Sequence, residues 1–393
     1  MGVLAPEQEL LTEEILPYIP EKRIDDVVYV NPADPHPVSF NPFHLDYGED
    51  IEQKFQDTLS IFKRVMGETG ARMDAILRHT LYALLERPRT TLLDIGKLLD
   101  REDPTLRNEI IRTTDDDETQ TFFRSTYPSM PKDAHLPIMN RLSPLIRPRV
   151  IRNLLCNPNY SFNFRAAMDE GKIMLFNVSD GVLGEEASQI LGQFIVSKMQ
   201  LAVMSRADTP RAKRHPFYLY LDEFQTFTGI NEMGYSKMLS RARKYGMGLT
   251  LAHQHTGQIP QNLLRDIFGN VLTLISFSVS SEDASKLSRD YIFENNGQVD
   301  GVPPTEFLRL KTGEAIVKID KTVFRMSTFL LPSDYNEQRR DWIIDRSRQN
   351  YSQGGKWKPD IRPPEPPRLP PKKDEDDKDD TFDDEDIDPR RVF

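Results

Sequence analysis

One cysteine, Cys156, stands in 393 residues, which excludes a disulfide framework and a Cys-rich metal site. His79, His135 and His253 share no metal-ligand spacing. No apolar run approaches the ~20 residues that a membrane-spanning helix needs. The opening MGVLAPEQELLTEEILPYIP has no basic stretch followed by an apolar one, so no secretory signal is expected and the chain reads as cytoplasmic. Glycine is scarcer than proline, 20 against 29, and eight of the prolines fall between 359 and 389. The net charge of −10 is also local, because residues 372–393 carry eleven acidic side chains against five basic ones. The body is nearly balanced, which does not exclude nucleic acid, since a basic patch can hide in a neutral total.

Seven of the thirteen residues Pro359–Pro371 are proline, and the acidic run DEDDKDDTFDDEDID follows. Polyproline extends a chain and like charges repel. Residues from about 350 to 393 are therefore expected to be disordered, with a protein partner for the tail as a further possibility. Short apolar runs at 172–179, 216–223, 248–254 and 271–279 read as buried strands, separated by helical patterns at 185–206, 233–245 and 282–290. That alternation predicts an α/β core with a mostly parallel sheet. Residues 305–331 alternate around a glycine-containing turn and predict antiparallel strands. Before the sheet, stretches such as IEQKFQDTLSIFKRVM are amphipathic and helical, and Val27–Val30 reads as one strand. The expected division is 1–48 as the first part of the core, 49–168 as a helical insertion, 169–335 as the main core with a terminal hairpin, and 336–393 as a helix followed by the tail.

The chemistry concentrates where the apolar run Phe217–Leu221 ends in Asp222 and Glu223. A buried strand that ends in adjacent carboxylates is costly unless they have partners or work, and ligands of open α/β sheets bind at the carboxyl ends of strands. One carboxylate suits the hydration shell of a Mg²⁺ ion and the other an attacking water, the division of labour of a nucleotide hydrolase. Solvated acids capping a strand end are the simpler reading. The next apolar run ends in His253 and Gln254, and on a neighbouring strand Gln254 would stand near a γ-phosphate. Arg243 and Lys244 stand in the last turn of the intervening helical pattern, where they can equally complement its macrodipole. The segments 205–216 and 141–153 are basic and could meet nucleic-acid phosphates, with solvated charge the default.

The segments FYLYLDEFQTF, LSRARKYGMGLTLAHQHTGQIP and LLRDIFGNVLTLISFSVSSEDASKLS resemble the HerA/FtsK superfamily of ring ATPases, and within it the TraG/TraD-like coupling proteins of conjugation and type IV secretion. The opening EEILPYIPEKRIDDVVYVNPADPHPVSFNPF is similar to the same family, so the likeness covers roughly 10–45 and 165–335. The resemblance implies a RecA-like P-loop NTPase core, ATP with Mg²⁺ as cofactors, DNA as partner and a homo-oligomeric, hexameric ring. It makes Asp222 and Glu223 the Walker B pair, with Asp222 holding the metal through water. Gln254 becomes the polar sensor and Arg243 an arginine finger for a neighbouring subunit.

The phosphate-binding loop G-x-x-x-x-G-K-[ST] is missing. The three Gly-Lys pairs, Gly96-Lys97, Gly171-Lys172 and Gly355-Lys356, are followed by Leu98, Ile173 and Trp357, and the first-glycine positions hold Thr91, Ala166 and Asn350. Three functions are consistent with this. The chain is the C-terminal part of an ATP-driven DNA translocase, inactive alone, or a non-catalytic scaffold paralogue, or a relative of the HerA-like DNA-processing helicases.

Overall fold

The computed structural model describes residues 1–45, 50–67, 69–228, 232–295, 298–330 and 336–357. Residues 1–361 form one compact unit. Disorder is expected from about residue 350, but Tyr351 is buried in the core and Trp357 Nε1 donates to Glu170 at 2.8 Å. The proline-rich and acidic residues beyond lie outside the described residues.

Strands β1 (Gly2–Ala5), β2 (Val27–Val30), β3 (Ile173–Asn177), β4 (Phe217–Leu221) and β5 (Met247–Leu251) form one sheet. Its order is β2-β3-β1-β4-β5, and every ladder is parallel. Three of the four apolar runs are strands of this sheet, as expected, but its central strand is Gly2–Ala5, which was not. Leu4 pairs with Phe176 on one side and Leu221 on the other. Four residues are too few to carry a periodic pattern, so nothing in the sequence marks this segment. All four are buried. Fully burying one large apolar side chain stabilises by ~1.5–3 kcal/mol, enough for packing to override weak local propensity.

The helices that matter to the site are α1 (Gln8–Thr12), α2 (Ile51–Met66), α3 (Ala71–Leu85), α4 (Glu185–Met204), α5 (Glu232–Arg241), α6 (Gln261–Asn270), α7 (Ser281–Leu287) and α8 (Glu337–Tyr351). One face of the sheet, with Leu4, Met174, Phe176, Phe217 and Leu219, packs on Phe194 and Met199 of α4, and this core continues into α2 and α3. Gly2 sits where a Cβ would lie 2.9 Å from Met199 Cε, so a larger residue there would have to move the end of that side chain. The opposite face, with Val3, Ala5, Val27, Tyr29 and Leu175, is covered by Leu11, Leu16 and Ile343. Residues 50–168 are helical wherever they are regular. Cys156 in this region is half-buried, and burial pushes its thiol up to about 11, which suits a packing role.

A second sheet is built from β6 (Thr273–Ser276), β9 (Glu314–Ile319) and β10 (Thr322–Ser327) in the order β10-β9-β6. Between β6 and β9 lies the hairpin of β7 (Ile292–Asn295) and β8 (Gln298–Gly301). Two expectations change here. The run 271–279 is not a buried strand of the parallel sheet, because β6 pairs antiparallel with β9 and leaves Leu272, Ile275 and Phe277 exposed. The turn of the β9–β10 hairpin is Asp320-Lys321, with Asp320 at φ 54, whereas Gly313 (φ 81) precedes β9 and Pro304–Leu308 is a helix. Among the described residues no helix is long and apolar enough to cross a membrane.

Candidate functional site

The carboxyl ends of β4 and β5 lie side by side because Leu221 pairs with Leu251 and the Ala252 amide donates to the Leu221 carbonyl. The chain then turns sharply. Glu223 adopts the left-handed region at φ 45 and ψ 46, a conformation that costs a non-glycine residue on the order of 1 kcal/mol. The Phe224 amide donates to the Ala252 carbonyl, which fixes the turn, and Phe224 and Phe227 are fully buried beneath it. This twist aims the Glu223 side chain toward β5. There Gln254 Nε2 donates to Glu223 Oε1 at 2.7 Å. Gln225 Nε2 donates to the other oxygen, Glu223 Oε2. Two amides therefore hold one carboxylate in a fixed orientation.

Asp222 stands beside it, with its backbone amide donating to the Leu4 carbonyl at 3.0 Å. Partial burial raises its carboxyl above the ordinary aspartate range, and the neighbouring Glu223 charge adds to the effect. A group in this state gains from a nearby cation. Hard carboxylate oxygens are suitable donors for Mg²⁺, which keeps several waters and takes only one or two carboxylates from a protein. No cluster of three or more His, Cys, Asp or Glu side chains converges among the described residues, so a closed metal cage is not formed. The donor set thus fits a hydrated ion held on one side. It does not fit a triphosphate, because neither the turn after β4 nor the loop after β5 has the glycine-rich cradle and lysine that hold one.

The loop after β5 is anchored from α7. Asp283, almost fully buried, accepts the Thr256 amide at 3.3 Å and the Thr256 hydroxyl, and it lies 3.5 Å from His255 Nδ1. Burial pushes the Asp283 carboxyl up, but the Thr256 hydrogen bonds, with His255 and Ser280, outweigh it and leave the group below its usual range. His253 packs edge-on to Phe224 at 5.5 Å between centroids, and burial lowers its imidazole.

Of the four residues singled out from sequence, the structure brings Asp222, Glu223 and Gln254 together. Arg243 is elsewhere, exposed on the turn that leads into the amino end of β5. The five residues of that strand, at ~3.3 Å each, separate it from the carboxylates by about 16 Å. Sequence reasoning passed over Gln225 and Asp283. Gln225 follows Glu223 at the spacing of a tight turn, and Asp283 follows Ser280 at the spacing of a helix cap, which was the available signal for each. The basic segment 205–216 is only partly solvated, since Arg206 is fully buried and donates to Asp169 at 2.8 Å.

No family model and no curated protein sequence matches the chain. Solved structures do. The unbound conjugative coupling protein TrwB superposes with a TM-score of 0.57 at 14% identity, over 84% of this chain and 78% of TrwB. TrwB in complex with ADP and Mg²⁺ gives the same values. VirB4 of Thermoanaerobacter pseudethanolicus superposes with a TM-score of 0.54 at 12% identity, over 85% of this chain and 83% of VirB4. The architecture is therefore the α/β P-loop NTPase fold shared with these proteins.

Proposed function

We propose that this chain, with the fold of a conjugative coupling protein and of VirB4, is the carboxylate-bearing part of an ATP-driven DNA translocase of conjugation or type IV secretion. The observation that carries the reading is the joint placement of Asp222, Glu223 and Gln254 at the ends of two adjacent parallel strands. In this reading Asp222 holds a hydrated Mg²⁺, Glu223 orients water, and Gln254 couples the water-orienting carboxylate to β5. Mg²⁺ would supply charge neutralisation to a bound nucleotide. Arg243, exposed and remote from its own carboxylates, suits an arginine finger for a neighbouring copy in a ring, hexameric as the family resemblance implies. Arg147, Arg149, Arg211 and Lys213 are exposed cations on the two basic segments that DNA phosphates would engage. The acidic tail is left to a protein partner, and the assembly works in the cytoplasm. The ATPase core is read as residues 1–48 with 169–335, and 49–168 as its helical insertion.

Phosphoryl transfer depends on positioning and charge neutralisation. The 393-residue chain should therefore hydrolyse ATP negligibly, since losing the cradle removes several charge-assisted hydrogen bonds worth ~1.5–3 kcal/mol each. A steady-state phosphate-release assay on the chain fused to a phosphate-loop segment is the test. Turnover that appears in the fusion and vanishes in Glu223→Gln, with nucleotide binding retained, supports the reading. A fusion that binds nucleotide but gives the same rate with Glu223→Gln refutes it and favours a scaffold role.

A further inference from the structure

A cavity with about 310 Å³ of empty space, counted to its open mouth, lies between the helical region and the core. The last turn of α2 gives it Arg64, α4 gives it Gln193, Val196 and Ser197, and α5 gives it Met238. Its inner wall is Phe227 and Thr228, which end the turn that Glu223 begins. That wall is fastened on two sides. The Tyr235 hydroxyl donates to the Phe227 carbonyl at 3.0 Å, and the Thr228 hydroxyl donates to the Gln225 carbonyl at 2.8 Å. The cavity is separate from the carboxylates, because Glu223 is held toward β5 while the cavity opens between α2, α4 and α5.

Two polar groups in this cavity lack the partners their chemistry calls for. Arg64 makes no ion pair among the described residues, and its one hydrogen bond runs from Nη1 to Gln200 Oε1, a neutral amide oxygen. A guanidinium carries a planar fork of N–H donors, so most of this fork finds no acceptor there. Burial pushes the group down from its ordinary range, which nearby Tyr235 and Asp57 offset only in part. Ser197 is 3% exposed, and its hydroxyl has no hydrogen-bond partner among the described residues. Buried hydroxyls are ordinarily bonded.

The remaining wall is apolar, from Val196, Phe227 and Met238, and no Asp or Glu lines the cavity. The surface therefore pairs hydrogen-bond donors and one positive charge with a hydrocarbon wall. A cation is repelled by it. A phosphate would leave oxygens against Val196 and Met238. A planar carboxylate accepts paired bonds from a guanidinium and a further one from a hydroxyl.

We infer that this cavity binds a small aliphatic carboxylate, its oxygens on Arg64 and Ser197 and its hydrocarbon end against Val196, Phe227 and Met238. The space is at the small end of ligand pockets, which suits an acid of about three to five carbons. The bound acid would join the helical region to the core and press on Phe227, four residues after Glu223. The site rests on the cavity alone and stands whether or not the chain serves an ATPase.

The test adds propionate to the full chain and follows it by saturation-transfer NMR and amide exchange. Propionate should bind saturably and slow exchange at Phe227 and Thr228. Propionamide, of the same shape without the charge, should bind at least about tenfold more weakly, the effect of losing one charge-assisted hydrogen bond. Arg64→Met and Ser197→Ala should each weaken propionate by a similar factor. Ser197→Ala should not lower the melting temperature, since the hydroxyl it removes has no partner in the protein, so it carries the test alone if Arg64→Met fails to fold. No saturable binding by the folded chain would leave water as the only occupant and overturn the inference. Propionamide binding as tightly as propionate would overturn it, as would propionate binding that Ser197→Ala leaves unchanged. Inorganic phosphate competing as well as propionate would mark a bare cation with no use for the apolar wall, and would overturn it too.

Discussion

Gln254 reaches across from the end of β5 to donate a 2.7 Å hydrogen bond to Glu223 at the end of β4. Two residues on neighbouring strands thus share one proton donor and one carboxylate, and the geometry depends on the left-handed turn at Glu223.

Because Gln254 is exposed, its bond orients Glu223 more than it stabilises the fold. Gln254→Ala should cost less than ~1 kcal/mol of stability, the range of a neutral side-chain hydrogen bond in water. Chemical denaturation of the full chain measures this. A loss of several kcal/mol would mean that the bond holds the turn together.

Asp222 gives a pH-dependent prediction with a definite sign. Its folded pKa is raised, so the protonated form is favoured in the folded state. The stabilising contribution is full below the unfolded value, near 3.8, and is lost as pH rises through the raised folded value. At neutral pH the ionised group is a burden. Asp222→Asn should therefore raise the melting temperature at pH 7, with the advantage shrinking as pH falls toward the ordinary aspartate range. A variant less stable than the parent at pH 7 would contradict the desolvation argument.

Gly192 on α4 controls the turn from behind. A Cβ there would lie 2.2 Å from Cδ1 of Phe227, whose ring is fully buried under the segment that follows Glu223. Gly192→Ala must push that ring aside, at the ~1–3 kcal/mol typical of overpacking. Thermal melting and amide exchange at 224–228 should both report the change. A neutral substitution would show that Phe227 has room to move.

The buried Arg206 tests the value of an ion pair. Its guanidinium is fully buried and bonds Asp169, which also pairs with Arg165 at 2.9 Å. Asp169→Ala leaves the buried cation without its partner and, with Asp169 itself 38% exposed, should cost ~1.5–3 kcal/mol, the range of a hydrogen bond to a charged group. Arg206→Met removes charge and partner need together and should cost clearly less. Equal losses, measured by denaturant titration, would argue that packing rather than charge dominates.

The sequence reveals those features whose physics is local. Phe217–Leu221 followed by Asp222-Glu223 is a continuous apolar run with an abrupt polar end, and it is a buried strand ending in a site. Gln254 follows by the same logic. Gly2–Ala5 could not be recognised this way, because its burial comes from Phe176 and Leu221, which lie far along the chain. The run at 271–279 misled for a related reason. Its apolar residues suit a strand covered on both faces, yet among the described residues β6 pairs only with β9, and Ile275 stands open. Gln225 and Asp283 act through turns whose meaning appears only after the strands are placed.

The position of β1 also has a consequence in time. Leu4 is synthesised 172 residues before Phe176 and 217 residues before Leu221, the two neighbours it pairs with. At ~5–20 residues per second, the centre of the sheet waits roughly 10–40 s before both of its flanks exist. During that interval Val3 and Leu4 belong to no sheet. The nascent chain can complete its helical region first, but the parallel sheet can close on both sides of β1 only after β4 has been made. Slow, long-range closure of this kind exposes apolar strands to aggregation, so the yield of folded protein should respond to chaperones and growth temperature more than the finished fold's stability would suggest.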